Sequence, residues 1–211
     1  MIRPSPRSAF IAVDLQNDFC PGGALGVPDG DAVLPVVNRV VRSFPRAVAT
    51  QDWHPRGHFS FASSRPGAIL YSTVDAEGIS QILWPDHCVQ GTPGAAFHPG
   101  LDLEPYSLII RKGFRPDLDS YSTFFENDRK TPTGLHGWLH ELGVKEVWLA
   151  GLASDFCVLY SALDAVCLGY TAYVLTDAVR AVNVPEGSGE QALKSMAAAG
   201  VRLTTSSEIP G

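Results

Sequence analysis

Residues 147–160 form the stretch VWLAGLASDFCVLY, which decides the fold. An unbroken apolar run, too short for a buried helix, ends at Gly151 and gives way to small and polar residues before a second apolar pattern begins. This pattern predicts a buried strand, a tight turn and a helix. Ser154 or Asp155 can cap that helix, so Cys157 falls in its first turn, where the helix dipole favours an anion. We therefore expect the Cys157 thiol to ionise more readily than a free thiol; the alternative is a small buried apolar residue, as most free cysteines are.

The rest of the chain alternates predicted strands with predicted helices. Alternation of this kind is typical of a three-layer α/β/α fold, with a six-stranded, mostly parallel sheet and helices on both faces. We expect a single domain over residues 1–211, with a long loop region at about 52–106 that is rich in Gly, Pro, Ser and His and therefore typical of a functional loop. The predicted strands are 9–13, 47–50, 108–110, 146–150, 171–175 and 201–204, and the predicted helices are about 33–41, 134–142, 155–168 and 186–199.

Composition excludes several classes of protein. The net charge is −6 and there is no basic run, which argues against a nucleic-acid partner. The apolar run that follows Arg3 and Arg7 is too short for a signal peptide or a membrane helix, so we expect a cytoplasmic protein with no membrane partner. Monomer and homo-oligomer both remain open. The four cysteines are scattered through the chain, and we expect reduced thiols at Cys20, Cys88, Cys157 and Cys167.

Reactive side chains follow four of the predicted strands. Asp14 follows the first strand, Asp52 and His54 follow the second, Lys112 follows the third, and the turn to Cys157 follows the fourth. The carboxyl ends of parallel strands share one edge of the sheet, and ligands bind there, near the point where strand order reverses. The sequence therefore predicts that these side chains converge on one site.

A thiol, a carboxylate and an ammonium support nucleophilic catalysis together. A carboxylate such as Asp14 can accept the proton of Cys157 and later hand it to a leaving amine. The ammonium group of Lys112 would stabilise the negative charge of the carboxylate and would favour the thiolate form of Cys157. Each residue taken alone has a structural interpretation as well. Asp14 could be a turn or cap residue, and Lys112 could be a solvated residue at the end of a strand.

A second group of residues is suited to a metal ion. In extended chain Asp52 and His54 point the same way, and His58 can return to them after the turn at Gly57. His87 is the natural third imidazole. One carboxylate with imidazoles suits zinc, iron or manganese, and the alternative is a hydrogen-bonded loop without a metal.

The motifs of this chain resemble those of a known family. They look like the motifs of the nicotinamidases, within the isochorismatase-like cysteine hydrolases, over nearly the whole chain. WPDHCVQGTPGA is the most specific of them. Ser154 stands where the family more often has Thr, and the spacing from Asp52 to His58 is shorter than in some relatives. The matching segments are DLQNDF at 14–19, DWHP at 52–55 with HFS at 58–60, WPDHCVQGTPGA at 84–95, Lys112-Gly113 and SDFCV at 154–158.

The resemblance implies a metal-dependent amidase that converts nicotinamide into nicotinate and ammonia through a cysteine thioester, and that also accepts pyrazinamide. It also implies one bound divalent ion, which we expect to be zinc, with iron and manganese as alternatives. A cis peptide bond at Leu152-Ala153 is implied as well. Alternatives are a metal-free isochorismatase-like or carbamoyl-amide hydrolase, and a catalytically silent metal-binding module. The implied site residues are Asp14, Lys112 and Cys157 as a catalytic triad, the N–H groups of Ala153 and Cys157 as an oxyanion hole, Phe19, Trp84, Leu152 and Tyr121 around the substrate, and Asp52, His54, His58 and His87 on the metal.

Overall fold

The computed structural model of the protein describes residues 1–76 and 78–210. Its secondary structure alternates strands and helices in the predicted order, with a short extra hairpin in the long loop region. The strands are β1 (Ser8–Val13), β2 (Ala47–Asp52), β3 (Thr73–Ala76), β4 (Ile79–Ile82), β5 (Leu108–Lys112), β6 (Glu146–Leu152), β7 (Thr171–Arg180) and β8 (Arg202–Thr204). The α-helices are α1 (Leu34–Val40), α2 (Leu135–Glu141), α3 (Cys157–Cys167) and α4 (Ser188–Ala198).

Six of the strands form one parallel sheet in the order β5-β2-β1-β6-β7-β8. The chain builds outward from β1 through β2 to β5 and then returns to the other side of β1 with β6. Strand order therefore reverses between β1 and β6. In open parallel sheets the crevice beyond the carboxyl ends at such a point is where ligands bind.

Helices cover both faces of this sheet. Phe10 and Ala12 of β1 belong to a core that includes Val37 of α1. Ile11 and Val13, which point the other way, pack into a second core with residues of α2, α3 and α4. The alternation of side chains along a strand thus separates two cores, and the predicted three-layer α/β/α fold is confirmed.

Several strands, β2 and β5 among them, extend further than their apolar runs predict. β2 continues through Gln51 to Asp52, and β5 continues through Arg111 to Lys112, because these polar residues pair with one another in register. The prediction of a strand end at Gln51 was therefore wrong. The hairpin of β3 and β4 was also not predicted, since each of its strands has only four residues and both lie in a segment without clear periodicity.

Gly151 is the one position on β6 where a side chain is excluded by the neighbouring strand. It lies beside Val13 in the ladder, with a φ of 122°, and a Cβ there would collide with the Val13 carbonyl oxygen. A glycine is thus required for β1 and β6 to stay close at the point where strand order reverses.

All four cysteines are free thiols, and Cys167 is the exposed one. No helix in the described part of the chain is long and apolar enough to cross a membrane.

Candidate active site and metal centre

Four strand ends bring the predicted reactive residues together. Asp14 follows β1, Asp52 ends β2, Lys112 ends β5, and Cys157 begins α3 just after β6. All four side chains are buried. A carboxylate oxygen of Asp14, one of Asp52 and the Cys157 sulfur all lie within 4.8 Å of one another.

Lys112 lies at the centre of this group. Its Nζ is 2.8 Å from Asp14 Oδ2 and 2.5 Å from Asp52 Oδ1. The same Nζ donates to the Ser120 carbonyl at 2.9 Å and lies 3.4 Å from Cys157 Sγ. Burial lowers the pKa of a lysine, but here Asp14 and Asp52 outweigh burial and hold the pKa of Lys112 well above its usual value. Lys112 is therefore a fixed positive charge between the thiol and two carboxylates.

Asp14 is placed to accept a proton from the thiol. Thr50 Oγ1 donates to Asp14 Oδ1 at 2.6 Å, whereas Asp14 Oδ2 accepts no well-aligned hydrogen bond from the described residues, although Lys112 is near. Burial raises the pKa of the Asp14 carboxyl above its usual value, and Lys112 offsets this only in part. A buried carboxylate with a raised pKa, close to the thiol and to a fixed ammonium, is a suitable base.

The Cys157 thiol differs from the sequence expectation. Burial raises the pKa of Cys157 well above its usual value; Lys112 opposes this, but Asp14 and Asp52 add to it. The prediction of an easily ionised thiol was therefore wrong, because burial beside two carboxylates disfavours the thiolate. The thiol is neutral until a base takes its proton.

The turn before α3 is also built differently from the prediction. Phe156, not Ser154 or Asp155, precedes the first helical residue, and no side chain caps this helix. Asp155 instead accepts hydrogen bonds from the backbone N–H groups of Val182 and Asn183, at 3.0 and 2.8 Å. It thereby ties the turn to the chain that follows β7.

Two backbone N–H groups are free next to the thiol. The peptide bond Leu152-Ala153 is cis, as the resemblance implied. The N–H groups of Ala153 and Cys157 donate no hydrogen bond to any described residue, whereas Ser154 N donates to the Arg180 carbonyl at 2.7 Å. Free donors at the start of a helix can stabilise an oxygen that becomes negatively charged.

Asp52, His54 and His87 form a buried cluster of possible metal ligands. One oxygen of Asp52 faces Lys112, and the other lies 3.5 Å from His54 Nε2 and 3.7 Å from His87 Nε2. The ligand atoms of all three residues lie within 4.8 Å of one another. A tetrahedral ion with bonds of about 2.1 Å separates its ligands by about 3.4 Å, so these spacings fit a single divalent ion.

The outer ring nitrogens of the three histidines are already engaged. His54 Nδ1 lies 2.8 Å from the Gly113 carbonyl and His87 Nδ1 lies 2.8 Å from the Pro85 carbonyl. His58 Nδ1 lies 2.7 Å from Ser60 Oγ. At His54 and His87 this arrangement suits a metal ligand, because an Nδ1–H held by an acceptor fixes the ring and leaves Nε2 for the metal. His58 differs, because its Nδ1 also accepts a hydrogen bond from Ser60 N at 3.4 Å and its Nε2 lies 3.4 Å from the Leu118 carbonyl.

Gly113 is required for the position of His54. A Cβ at Gly113 would lie 2.6 Å from the His54 ring, and its φ of +65° is unfavourable for other residues. The Lys112-Gly113 pair thus serves both the thiol and the metal cluster.

His58 does not join the same set as Asp52 and His87. It forms a second set with His54 and Asp119, again with all ligand atoms within 4.8 Å. The ring centroids of His54 and His58 are 4.5 Å apart, so the two sets are neighbours that share one imidazole. Burial and the neighbouring His54 lower the pKa of His58, which keeps it neutral and able to bind a metal.

Asp52 is held in its charged form. Burial favours the neutral acid, but Lys112 and His54 outweigh it and hold the pKa of Asp52 well below its usual value. The structure thus supplies a charged carboxylate and three imidazoles at the predicted metal site, and this donor set fits a divalent ion such as zinc.

An aromatic pocket opens next to Cys157. Phe19, Trp84 and Tyr121 line it, as the resemblance implied, and Trp84 Nε1 donates to the Tyr121 hydroxyl at 3.1 Å. Phe156 was not predicted, but it also lines the pocket, with its ring nearly perpendicular to Trp84 at 4.8 Å. Leu152 is fully buried in a core and is not among the described residues that line the pocket.

Known proteins include close relatives of this chain in sequence. The isochorismatase domain family matches residues 8–208. The chain belongs to this family. Among its members, the nicotinamidase of Acinetobacter baylyi is 47% identical over 208 residues, which cover 99% of this chain and 97% of that protein. The chain thus falls with the nicotinamidases, which are amidohydrolases, and the family predicted from the motifs is confirmed.

Solved structures of family members are similar to this chain in both fold and sequence. The nicotinamidase/pyrazinamidase of Acinetobacter baumanii has a TM-score of 0.94 and 46% identity, with 97% of this chain and 98% of that chain covered. The pyrazinamidase of Pyrococcus horikoshii, in complex with zinc, has a TM-score of 0.78 and 39% identity, with 95% of this chain and 99% of that chain covered.

Proposed function

We propose that the protein hydrolyses nicotinamide to nicotinate and ammonia, with a cysteine thioester as the intermediate and a divalent ion that orients the substrate. The observation that carries this proposal is the position of Lys112 Nζ, 3.4 Å from Cys157 Sγ and 2.8 Å from Asp14 Oδ2. This proximity supports the assignment of Cys157 as nucleophile, Asp14 as base and Lys112 as a fixed positive charge, beside a pocket that suits a flat ring. Relatives that are nicotinamidases at high identity support the choice of substrate.

The first half of the reaction forms the thioester. Cys157 Sγ attacks the carboxamide carbon while its proton passes to Asp14 Oδ2, since the buried thiol is not ionised beforehand. The tetrahedral oxygen accepts hydrogen bonds from the N–H groups of Ala153 and Cys157. The C–N bond then breaks, and Asp14 gives the proton to the departing ammonia.

The second half releases the acid. A water molecule attacks the thioester carbon and gives a proton to Asp14. The C–S bond breaks, Cys157 recovers its proton, and nicotinate leaves. Lys112 keeps its charge throughout, because two carboxylates hold its pKa well above neutral.

The ring is held by the aromatic pocket and the metal cluster. Phe19, Trp84 and Tyr121 contact the faces and edge of the pyridine. A divalent ion would be held by Asp52, His54, His58 and His87. When bound, it would supply a ligand position for the pyridine nitrogen. A zinc complex of a relative supports zinc as the ion. Pyrazinamide keeps a ring nitrogen and a carboxamide, and we propose that it is a second substrate.

A metal-free hydrolase of the same fold is disfavoured by the donor set. Three buried imidazoles with engaged Nδ1 atoms and a charged carboxylate have no use in that reaction. A silent binding module is disfavoured by the intact group around Lys112.

One experiment tests the proposal directly. Ammonia release from nicotinamide is measured on the purified protein, and the metal content of the same sample is determined. We expect turnover together with close to one equivalent of a divalent metal per chain. No release of ammonia from nicotinamide by metal-loaded protein contradicts the proposed reaction.

A further inference from the structure

Asp119 is a buried carboxylate without a cationic side chain to balance it. It is only 2% exposed. Its Oδ1 accepts a hydrogen bond from Ser120 N at 2.8 Å, and its Oδ2 accepts one from Gln81 Nε2 at 2.8 Å. Among the described residues, its one contact with a possible cation is with His54 Nε2, at 3.9 Å. Buried charges in proteins are paired with opposite charges or bind metals, so this carboxylate needs a partner.

The position of Asp119 fits a ligand of an ion bound at the shared imidazole of His54. Its oxygen lies within 4.8 Å of ring nitrogens of both His54 and His58. The distance of 3.9 Å to His54 Nε2 is within about half an ångström of the separation of two ligands on a tetrahedral zinc ion. His54 Nε2 thus faces Asp52 and Asp119. Both carboxylates are therefore placed to bind a metal ion that is bound by His54.

The charge of the buried site supports the same assignment. Lys112 contacts Asp14 and Asp52, and the contact of Asp119 with a possible cation is with the His54 imidazole. A divalent cation at that imidazole would be a partner for the Asp119 carboxyl. Removal of one carboxylate would reduce the attraction of the site for any divalent ion.

Gln81 holds Asp119 in place from the hairpin. It is fully buried on β4, and its Nε2 lies within hydrogen-bond distance of Asp119 Oδ2 and the Tyr121 hydroxyl, at 2.8 and 3.2 Å. Its Oε1 accepts a hydrogen bond from Asn127 Nδ2 at 3.3 Å. The amide therefore links the hairpin to the carboxylate and to the pocket wall at once. A ligand held by such an outer partner is oriented before the ion arrives.

We propose that Asp119 is a further ligand of the divalent ion, and that Gln81 of the hairpin positions its carboxylate. This inference rests on the metal site of the proposed function. It adds a second carboxylate to the predicted set and groups His58 with Asp119 on one side of His54.

The test compares two aspartates of one loop. Asp119→Asn keeps the size of the side chain but removes its charge, and Asp117→Asn is the matched control, because Asp117 is exposed only two residues away. Each protein is titrated with Zn²⁺ in competition with a chelator, and its Co²⁺ form is examined by visible absorption. We expect Asp119→Asn to weaken zinc binding by at least about tenfold and to shift the Co²⁺ bands, with both unchanged in Asp117→Asn.

Two further measurements keep the test decisive. Gln81→Met removes the donor to Asp119 at similar size, and we expect a smaller loss of zinc affinity together with altered Co²⁺ bands. Should Asp119→Asn fail to fold, diffraction from the zinc-loaded wild-type protein decides, since a ligand oxygen lies about 2.0–2.2 Å from the ion. An Asp119 oxygen well beyond that distance overturns the inference.

The outcomes separate this inference from the proposed function. If the wild-type protein binds neither Zn²⁺ nor Co²⁺, the metal site itself is wrong, and the role of Asp119 is wrong with it. If the wild-type protein binds both, but Asp119→Asn shows the same zinc affinity and the same Co²⁺ spectrum, the role of Asp119 alone is overturned.

Discussion

Asp52 and Lys112 lie directly opposite each other at the ends of two neighbouring parallel strands, and their side chains meet at 2.5 Å. The second oxygen of Asp52 faces the histidines, and Lys112 Nζ also contacts Asp14 and the Cys157 sulfur. One ion pair thus joins the cluster of possible metal ligands to the Cys157 thiol. Because both residues are held in the sheet ladder, the position of the ligand cluster and that of the thiol are set by the same rigid element.

The first prediction concerns this ion pair. Lys112→Met removes the ammonium and leaves Asp14 and Asp52 buried without it. Loss of one partner of a buried ion pair costs about 3–5 kcal/mol, and we expect the free energy of unfolding to fall by that amount in urea denaturation. Lys145→Met, at an exposed position, is the control and should change stability little. An equally stable Lys112→Met protein would show that the carboxylates do not depend on the lysine.

The second prediction concerns the nucleophile. Cys157→Ala replaces a buried side chain with a smaller one and removes the sulfur that forms the thioester in the proposed reaction. We expect no turnover of nicotinamide, with fold and metal content unchanged by circular dichroism and metal analysis. Cys167→Ala, at the exposed thiol, should keep full activity. Activity near the wild-type level in Cys157→Ala would remove this residue from the mechanism.

The third prediction concerns the base. Asp14→Asn keeps the shape of the side chain but cannot take the thiol proton. Since loss of a general base typically costs 10²-fold or more, we expect kcat to fall by at least ~10²-fold. Thr50→Val, which removes the hydroxyl that donates to Asp14 Oδ1 and accepts from Asp14 N but keeps the Asp14 carboxyl, should have a smaller effect. A mild effect of Asp14→Asn would assign proton transfer to another group.

The sequence predicts the positions of the strands and the convergence of the reactive residues because both depend on local patterns. Each short apolar run marks a buried parallel strand, and the polar residue after it must lie at the common edge. Asp14, Lys112 and Cys157 were found in this way. The extension of β2 to Asp52 was not, since its pairing with Lys112 comes from a different part of the chain.

Other features depend on contacts between distant segments. Asp119 follows no strand and belongs to no motif, and it reaches the histidines only because Gln81 holds it from 38 positions earlier in the chain. The raised pKa of the Cys157 thiol likewise results from burial in the folded protein, to which Asp14 and Asp52 from other parts of the chain add. An aspartate in a loop, between Leu118 and Ser120, offers no signal in the sequence that distinguishes a buried residue from a turn residue.

The fourth prediction concerns the pH dependence of stability. Glu126 is 1% exposed, its Oε2 accepts no hydrogen bond from the described residues, and burial raises the pKa of its carboxyl from 4.5 to about 7. The folded state favours the neutral acid, so the free energy of unfolding falls as pH rises from about 4.5 to about 7 and stays reduced above that range. Glu126→Gln removes this loss.

The measurement is the difference in Tm between Glu126→Gln and the wild-type protein at two pH values. We expect the variant to gain stability at pH ~8 relative to pH ~5, where one kcal/mol corresponds to about 2–4 °C in a chain of this size. Glu141→Gln is the control, because the Glu141 side chain is 86% exposed. A difference in Tm that is the same at both pH values contradicts the raised pKa.

The last prediction connects the metal cluster to substrate choice. If the pyridine nitrogen occupies a ligand position on the ion, benzamide, with carbon at that position, loses this contact but keeps the carboxamide. The contact orients the ring against Cys157, and loss of orientation can cost large factors in rate. We therefore expect kcat/KM for benzamide to be far below that for nicotinamide with the metal-loaded protein. The same ratio is then measured for His54→Ala, which removes the imidazole shared by both ligand sets. A preference for nicotinamide that is smaller in this variant ties the selectivity to the ion. Equal hydrolysis of both amides by the metal-loaded protein would show that the ring nitrogen does not bind the ion.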